Sequence, residues 1–185
     1  MSPCKPNSRG GRLANAQCSM ARAMAVVGDR WSILILREAY YGTKRFDEFE
    51  YFIGVAPNIL SNRLKRFIDV GIMQRVRLPE HSTRYEYLLT DKGCDFFPAY
   101  LALKKWGDDW LAEPEGPQVV FRDRAAGREI EYPKLLAASG KPLRLEDVEV
   151  VAGSGAVAFN RERFGAASRN TGAAKRLGRS KPGRK

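Results

Sequence analysis

The 185-residue chain holds one histidine, His81, and three cysteines, Cys4, Cys18 and Cys94, and each scarcity closes off a class of chemistry. A lone histidine, no carboxylate pair in a recognisable motif, no phosphate-binding Gly-x-x-x-x-Gly-Lys loop and no Gly-x-Ser-x-Gly elbow leave nothing on which to build an enzyme. A Cys94–His81 nucleophile pair is disfavoured because Cys94 is expected on a packed helix face. An odd number of cysteines without CxxC spacing argues against a disulfide framework or a structural zinc, so no metal or cofactor is expected. The N-terminus lacks the apolar centre of a signal peptide, and no run approaches the roughly 18 apolar residues of a membrane span. The expected location is a reducing cytoplasm.

Charge, by contrast, is abundant and uneven. Lys and Arg total 32 against 21 acids, a formal net charge of +11. The stretch from Arg161 to Lys185 carries nine basic residues and one acid, Glu162, and so holds +8 of that excess. A basic balance favours polyanionic partners, yet here it is mostly the signal of a tail. That tail, residues 160–185, and an N-terminal arm, residues 1–15, are Gly-, Ser-, Arg- or Ala-rich and are expected to be disordered. The tail either adds sequence-independent DNA affinity or merely solubilises the terminus.

Between them the pattern is helical first. Met20, Met24 and Val27 recur at helical spacing before Gly28. Asp29 suits the cap of a second, largely apolar helix to Tyr41, stopped by Gly42. Phe46, Phe49 and Phe52 mark a short third helix with an expected core-facing aromatic stripe. Gly54-Val55-Ala56-Pro57 is a turn, and Pro57 opens a fourth helix that buries Ile59, Leu60, Leu64, Phe67 and Ile68. Residues 72–78 and 84–89 then read as two strands at period two. Thr90 caps a final long helix to Leu111, in which Pro98 marks either a kink or a late start.

Helix, helix, turn, helix and hairpin is the order of a winged helix-turn-helix. The expected fold class is α+β, mainly α, with further helices before and after the winged unit. The expected partner is double-stranded DNA, which places the protein with the nucleoid. In such a fold the helix after the turn lies in the major groove. Its positions not needed by the core are Asn58, Ser61, Asn62, Lys65, Arg66 and Asp69, and five of the six can donate to bases or phosphates. Pro57 starts the same surface. Arg63 falls among core positions and is expected to reach back to phosphate or to an acid on a neighbouring helix. Lys44 and Arg45, before the third helix, and His81 and Arg84, at the hairpin, are candidate phosphate or minor-groove contacts. Winged helices also serve as protein–protein modules, and a module with nonspecific DNA affinity from its tail is the alternative reading.

In order and spacing, residues 18 to about 112 resemble the HxlR-type regulators, relatives of the MarR-like winged-helix proteins. The resemblance rests on Cys18, Gly28-Asp29-Arg30-Trp31, Arg45-Phe46-Asp47-Glu48-Phe49, Leu60-Ser61-Asn62-Arg63-Leu64, Gly71-Ile72-Met73-Gln74-Arg75, the run Tyr85 to Gly93, and Trp106 with Trp110. Ala56 stands where the family commonly has a Ser cap, and Asn58 where it often has Lys, so operator sequence is not carried over. The resemblance implies a repressor that forms a homodimer through its first and last helices (Met20, Met24, Leu101, Trp106, Trp110) and binds a pseudo-palindromic operator. It also implies a response to a small-molecule effector or to a redox signal: some relatives sense oxidants through a cysteine at the position of Cys18. Read from the residues alone, Cys18 is equally an inert small hydrophobe. Residues 117–158 resemble the small β-rich, zinc-ribbon-like appendage of longer relatives, without a cysteine at any ligand position. A metal-free remnant is expected there, held by Val119, Val120, Phe121, Ile130, Leu143, Leu145, Val148 and Val150.

Overall fold

A computed structural model describes residues 17–78, 84–111, 114–132 and 134–164. The N-terminal arm, His81 and the tail beyond residue 164 lie outside the described residues. The chain divides into a first unit ending at Tyr132 and a second beginning at Pro133.

The first unit opens with α1 (Ser19–Val27) and α2 (Arg30–Tyr41). Asp29 caps α2 as expected: one of its carboxylate oxygens accepts from the backbone N–H groups of Trp31 and Ser32 at 3.2 and 3.1 Å. Gly42 ends α2 at φ +102°, a left-handed conformation in which its N–H turns back to Ala39 and Glu38. The helix-turn-helix follows as α3 (Phe46–Ile53) and α4 (Pro57–Asp69), joined through Gly54 at φ +67°. Pro57 occupies the first turn of α4, and Ala56 supplies no side-chain cap. Strands β1 (Met73–Arg77) and β2 (Tyr85–Leu89) pair antiparallel, from Met73 opposite Leu89 to Arg77 opposite Tyr85. The last helix splits into α5 (Asp91–Cys94), capped by Thr90, and α6 (Phe97–Trp110), with Pro98 in its first turn. Proline marks a late start and not a kink.

The core lies where α2, α3, α4 and the base of the hairpin meet. Ile35, Leu36, Phe49, Leu60, Leu64, Phe67 and Met73 are each almost fully buried, each contributing about 1.5–3 kcal/mol by leaving water. Leu60, Leu64 and Phe67 repeat at i, i+4 and i+7, so a single stripe fastens α4. Two expectations fail. Phe52 is not core but 57% exposed, in edge contact with exposed Tyr51, because at 3.6 residues per turn the core-facing stripe of α3 runs through Phe46, Phe49 and Ile53 and leaves Phe52 at its margin. Cys94 is exposed: in the short α5 it is the neighbouring Gly93 that is buried.

Residues 119–132 belong to the first unit. Phe121 packs its ring against Tyr41, Phe97 and Tyr100, with centroids 5.1–6.3 Å apart. A tight knuckle follows, in which Asp123 accepts from the backbone of Ala125, Ala126 and Gly127, the last at φ +65°. The second unit contains another turn, closed by Ala137, Gly140 and Lys141, then a 3-10 turn (Leu145–Asp147) and α7 (Ala158–Phe164). Val119, Val120, Leu145, Val148 and Val150 are exposed, while Phe121, Ile130 and Leu143 are half-buried, so most of the apolar set expected to hold the appendage does not bury. So few apolar side chains cannot enclose a core, and backbone hydrogen bonds in the turns organise it instead.

Candidate nucleic-acid interface

Helix α4 divides its circumference by residue chemistry. One face is the buried stripe. Opposite it, Asn58, Ser61, Asn62 and Lys65 are exposed, with Pro57 at their N-terminal end. All four can donate to nucleic acid, and Asn and Lys are bidentate or charged readers of purine edges. Asp69 is exposed on the same side near the C-terminus. Arg66, expected on this surface, is instead half-buried and donates to the Ala25 carbonyl of α1. Its place on the helix turns it toward a neighbour that needs a donor for its last-turn carbonyls. Arg63 reaches an acid on a neighbouring helix, as one of its two expected roles had it: its Nε donates to Asp29 at 3.0 Å.

On its other flank α4 faces the hairpin across an open cleft of roughly 680 Å3, lined by Ser61, Lys65, Gln74, Arg75 and Tyr87 above Ile68 and Met73. Arg75 stacks its guanidinium on the Tyr85 ring at 4.4 Å, which stiffens the strand that carries it. Gln74, Arg75 and Tyr85 carry no functional signal in the sequence beyond their place in two strands: the polar run Gln74–Arg75 is exposed beside α4. Arg84 is exposed immediately before β2. Lys44 is exposed too, and its carbonyl accepts from the Tyr87 N–H at 2.8 Å, tying the loop before α3 to the hairpin. Arg45 is held in a fork by Asp47, at 3.1 and 3.0 Å. That partner raises the arginine's pKa and lowers the aspartate's, and any phosphate at Arg45 must compete with it.

Away from α4, the first and last helices of the unit present apolar side chains to solvent. Met20 and Met24 lie on α1, and Leu103, Trp106 and Trp110 on α6, all at least 44% exposed. Leu101 is not among them: it is 5% exposed and packs inward, on the opposite side of α6 from Leu103, two residues on. Cys18 is exposed immediately before α1. Between α2 and α6 runs a groove of roughly 560 Å3 walled by Leu34, Arg37, Tyr41, Tyr100, Leu103 and Lys104. Its polar groups are mutually satisfied, Arg37 by Glu38, Lys104 by Asp108, and the Tyr41 and Tyr100 hydroxyls by each other at 3.3 Å. Burial pushes the Tyr100 hydroxyl well above the usual tyrosine value, and the bond to Tyr41 adds to the shift. Among the described residues no group of three His, Cys, Asp or Glu side chains converges to hold a metal, and no helix is long and apolar enough to cross a membrane.

Residues 26–115 match the family described as HxlR-like helix-turn-helix. The HTH-type transcriptional regulator Mb3122 of Mycobacterium bovis is 36% identical over 137 residues, covering 74% of this chain and 87% of that protein. YodB, an HTH-type transcriptional regulator of Bacillus subtilis, is 31% identical over 100 residues, 53% of this chain and 89% of its own length. Among solved structures, PA1607, a candidate transcription factor, superimposes with a TM-score of 0.68 at 39% identity, covering 74% of this chain and 96% of its own. PA1374 from Pseudomonas aeruginosa, likewise a candidate transcription factor, gives 0.54 at 36% identity over 80% of this chain and all of its own.

Proposed function

The chain belongs to the HxlR-like helix-turn-helix family, and from that premise we propose that it is a sequence-specific DNA-binding transcriptional regulator, a repressor that binds a pseudo-palindromic operator as a homodimer. One observation carries the reading: α4 holds Asn58, Ser61, Asn62 and Lys65 in solvent while Leu60, Leu64 and Phe67 anchor its opposite face. Donors on a rigid helix are what base-edge recognition requires, because a mobile donor would spend its binding energy on ordering. The cleft beside β1 gives the sugar–phosphate backbone a bed, with Lys65 and Arg75 as counter-charges. Met20, Met24, Leu103, Trp106 and Trp110 form the apolar surface that the partner subunit covers. No part of this role calls for catalysis, and the working location is the nucleoid.

The test is binding of the purified protein to DNA flanking its own gene, against excess competitor, at about 150 mM salt. The expected result is a dissociation constant below roughly 10⁻⁷ M, weakened by Asn62→Ala by about 1–3 kcal/mol. Binding that competitor abolishes would leave only the basic tail on DNA and would favour the interaction-module alternative.

Two inputs fit this role. A redox input through Cys18 is supported by its exposure immediately before α1. If Cys18→Ser leaves release from the operator by diamide unchanged, the redox response is refuted. A small-molecule input is supported by the groove between α2 and α6. The region 117–158 serves as a metal-free remnant of a zinc-ribbon-like appendage, and stoichiometric zinc in the purified protein would overturn that.

A further inference from the structure

The third flank of α4 touches neither the cleft nor the core stripe. Arg63 and Arg66 project from it, one turn apart, onto the joint between α1 and α2. Arg66 donates to the Ala25 carbonyl in the last turn of α1, and Arg63 donates to Asp29, the cap of α2. Only Gly28 and Asp29 separate the two helices, and the joint is stiff. The Gly28 N–H bonds the Met24 carbonyl at 2.9 Å, and a Cβ at Gly28 would stand 2.4 Å from that same oxygen. Asp29 is saturated on its own side by Trp31 and by the Ser32 N–H and hydroxyl, the latter at 2.6 Å. Ala25 and Val27 face inward from α1, while Met20 and Met24 face solvent.

From this geometry we infer that Arg63, Arg66 and Asp29 are positioning residues that fix the reading helix to α1, so that the half-site spacing the protein accepts is set through this staple. The inference rests on the dimer and operator reading above. A dimer built through α1 fixes the two reading helices relative to each other only as firmly as each α4 is held to its own α1. The core stripe fixes the depth of α4. Rotation about that stripe is resisted by contacts at the flanks, and the cleft flank is open. Two charge-assisted donors on the closed flank supply the restraint. Specific duplex binding needs the two helices about one helical turn of DNA apart, so a loosened staple widens the range of spacings tolerated and leaves the bases read unchanged.

Selection from a duplex pool with a randomised centre, sequenced for both half-site and spacing, tests this with the full chain and two variants. Asp29→Asn keeps an oxygen to cap α2 but removes the charge that Arg63 pairs with. Arg66→Met keeps the length of the side chain and removes its donors. Thermal melting and sedimentation first establish that each variant folds and dimerises, and either one suffices for the test. The wild type should return one half-site at a single spacing. The variants should return the same half-site over several spacings, bind the wild-type operator about fivefold more weakly, the equivalent of one lost hydrogen bond, and keep the wild-type slope of log affinity against log salt. A single unchanged spacing in a folded variant overturns the staple. So does a slope reduced by about one for Arg66→Met, which would make that arginine a phosphate contact, or a changed half-site, which would make it a base reader. A wild type that enriches no half-site overturns the operator reading instead.

Discussion

Replacing Gly93 by alanine should damage this fold far more than one methyl suggests. Gly93 is buried in α5 against the base of the hairpin. A Cβ there would lie 2.4 Å from the Ile72 carbonyl oxygen and 3.0 Å from a methyl of Leu89. The leucine can rotate away, but the carbonyl cannot: it accepts from the Thr90 N–H at 3.0 Å and the Thr90 hydroxyl at 3.1 Å. The Gly93 carbonyl is itself pinned by the Tyr40 hydroxyl at 2.9 Å. Relief therefore requires α5 to move off the hairpin, at about 1–3 kcal/mol for overpacking and about 1 kcal/mol for a hydrogen bond stretched or lost. The total is about 2–4 kcal/mol, or a fall in melting temperature of about 8–16 °C at roughly 4 °C per kcal/mol for a unit of this size. Gly42→Ala is the control. That residue has φ +102° and nothing within 4 Å of an added Cβ, so its cost is the conformational penalty alone, about 1–2 kcal/mol. Urea unfolding followed by circular dichroism gives both values. A Gly93→Ala protein within about 0.5 kcal/mol of wild type, or more stable than Gly42→Ala, would show that the hairpin base is not wedged on this glycine.

Lys65→Ala should weaken operator binding alike for all sequences and lower the salt slope by about one if the lysine meets phosphate, as titration of affinity against salt will report. Trp106→Ala should shift the protein from dimer to monomer at micromolar concentration in sedimentation, since an aromatic anchor contributes about 2 kcal/mol or more to an interface. The pH dependence of folding should carry the signature of Asp29. Partial burial raises its pKa, but the bonds from Ser32 and Arg63 outweigh that and leave it below the ordinary carboxylate value. A folded pKa below the unfolded one makes ionised Asp29 stabilising above about pH 3.9, and this contribution disappears as pH falls through the folded value. The group is partly exposed, so Asp29→Asn should lower stability at pH 7 by under about 1 kcal/mol, and the gap should close in urea titrations below pH 4.

The parts of this fold that periodicity controls were legible in the sequence. The cap at Asp29, the stop at Gly42, the stripe of Leu60, Leu64 and Phe67, and the two strands each follow from local chemistry. What failed depended on where an element ends or which neighbour lies beside it. Phe52 continues the i, i+3 spacing of Phe46 and Phe49 but drifts off the core face, where Ile53 packs instead. Leu101 and Leu103 are equally apolar, and only the packing of α6 decides which one is buried. Arg66 sits on a polar helix face by sequence, and its partner, a backbone carbonyl 41 residues earlier, leaves no mark in the pattern. The basic tail holds most of the net charge, while the face that would read bases needs only four side chains of modest charge.

Separate flanks of α4 have an evolutionary consequence. Asn58, Ser61, Asn62 and Lys65 are exposed, and none is required by the core stripe or by the arginines that meet the α1–α2 joint. A substitution at any of them is a surface change on a helix, within about 0.5 kcal/mol of neutral for stability. If this face reads DNA as proposed, the lineage can exchange its DNA address one side chain at a time without passing through an unfolded intermediate. After gene duplication, two copies could drift apart in the DNA they read while inheriting the same scaffold.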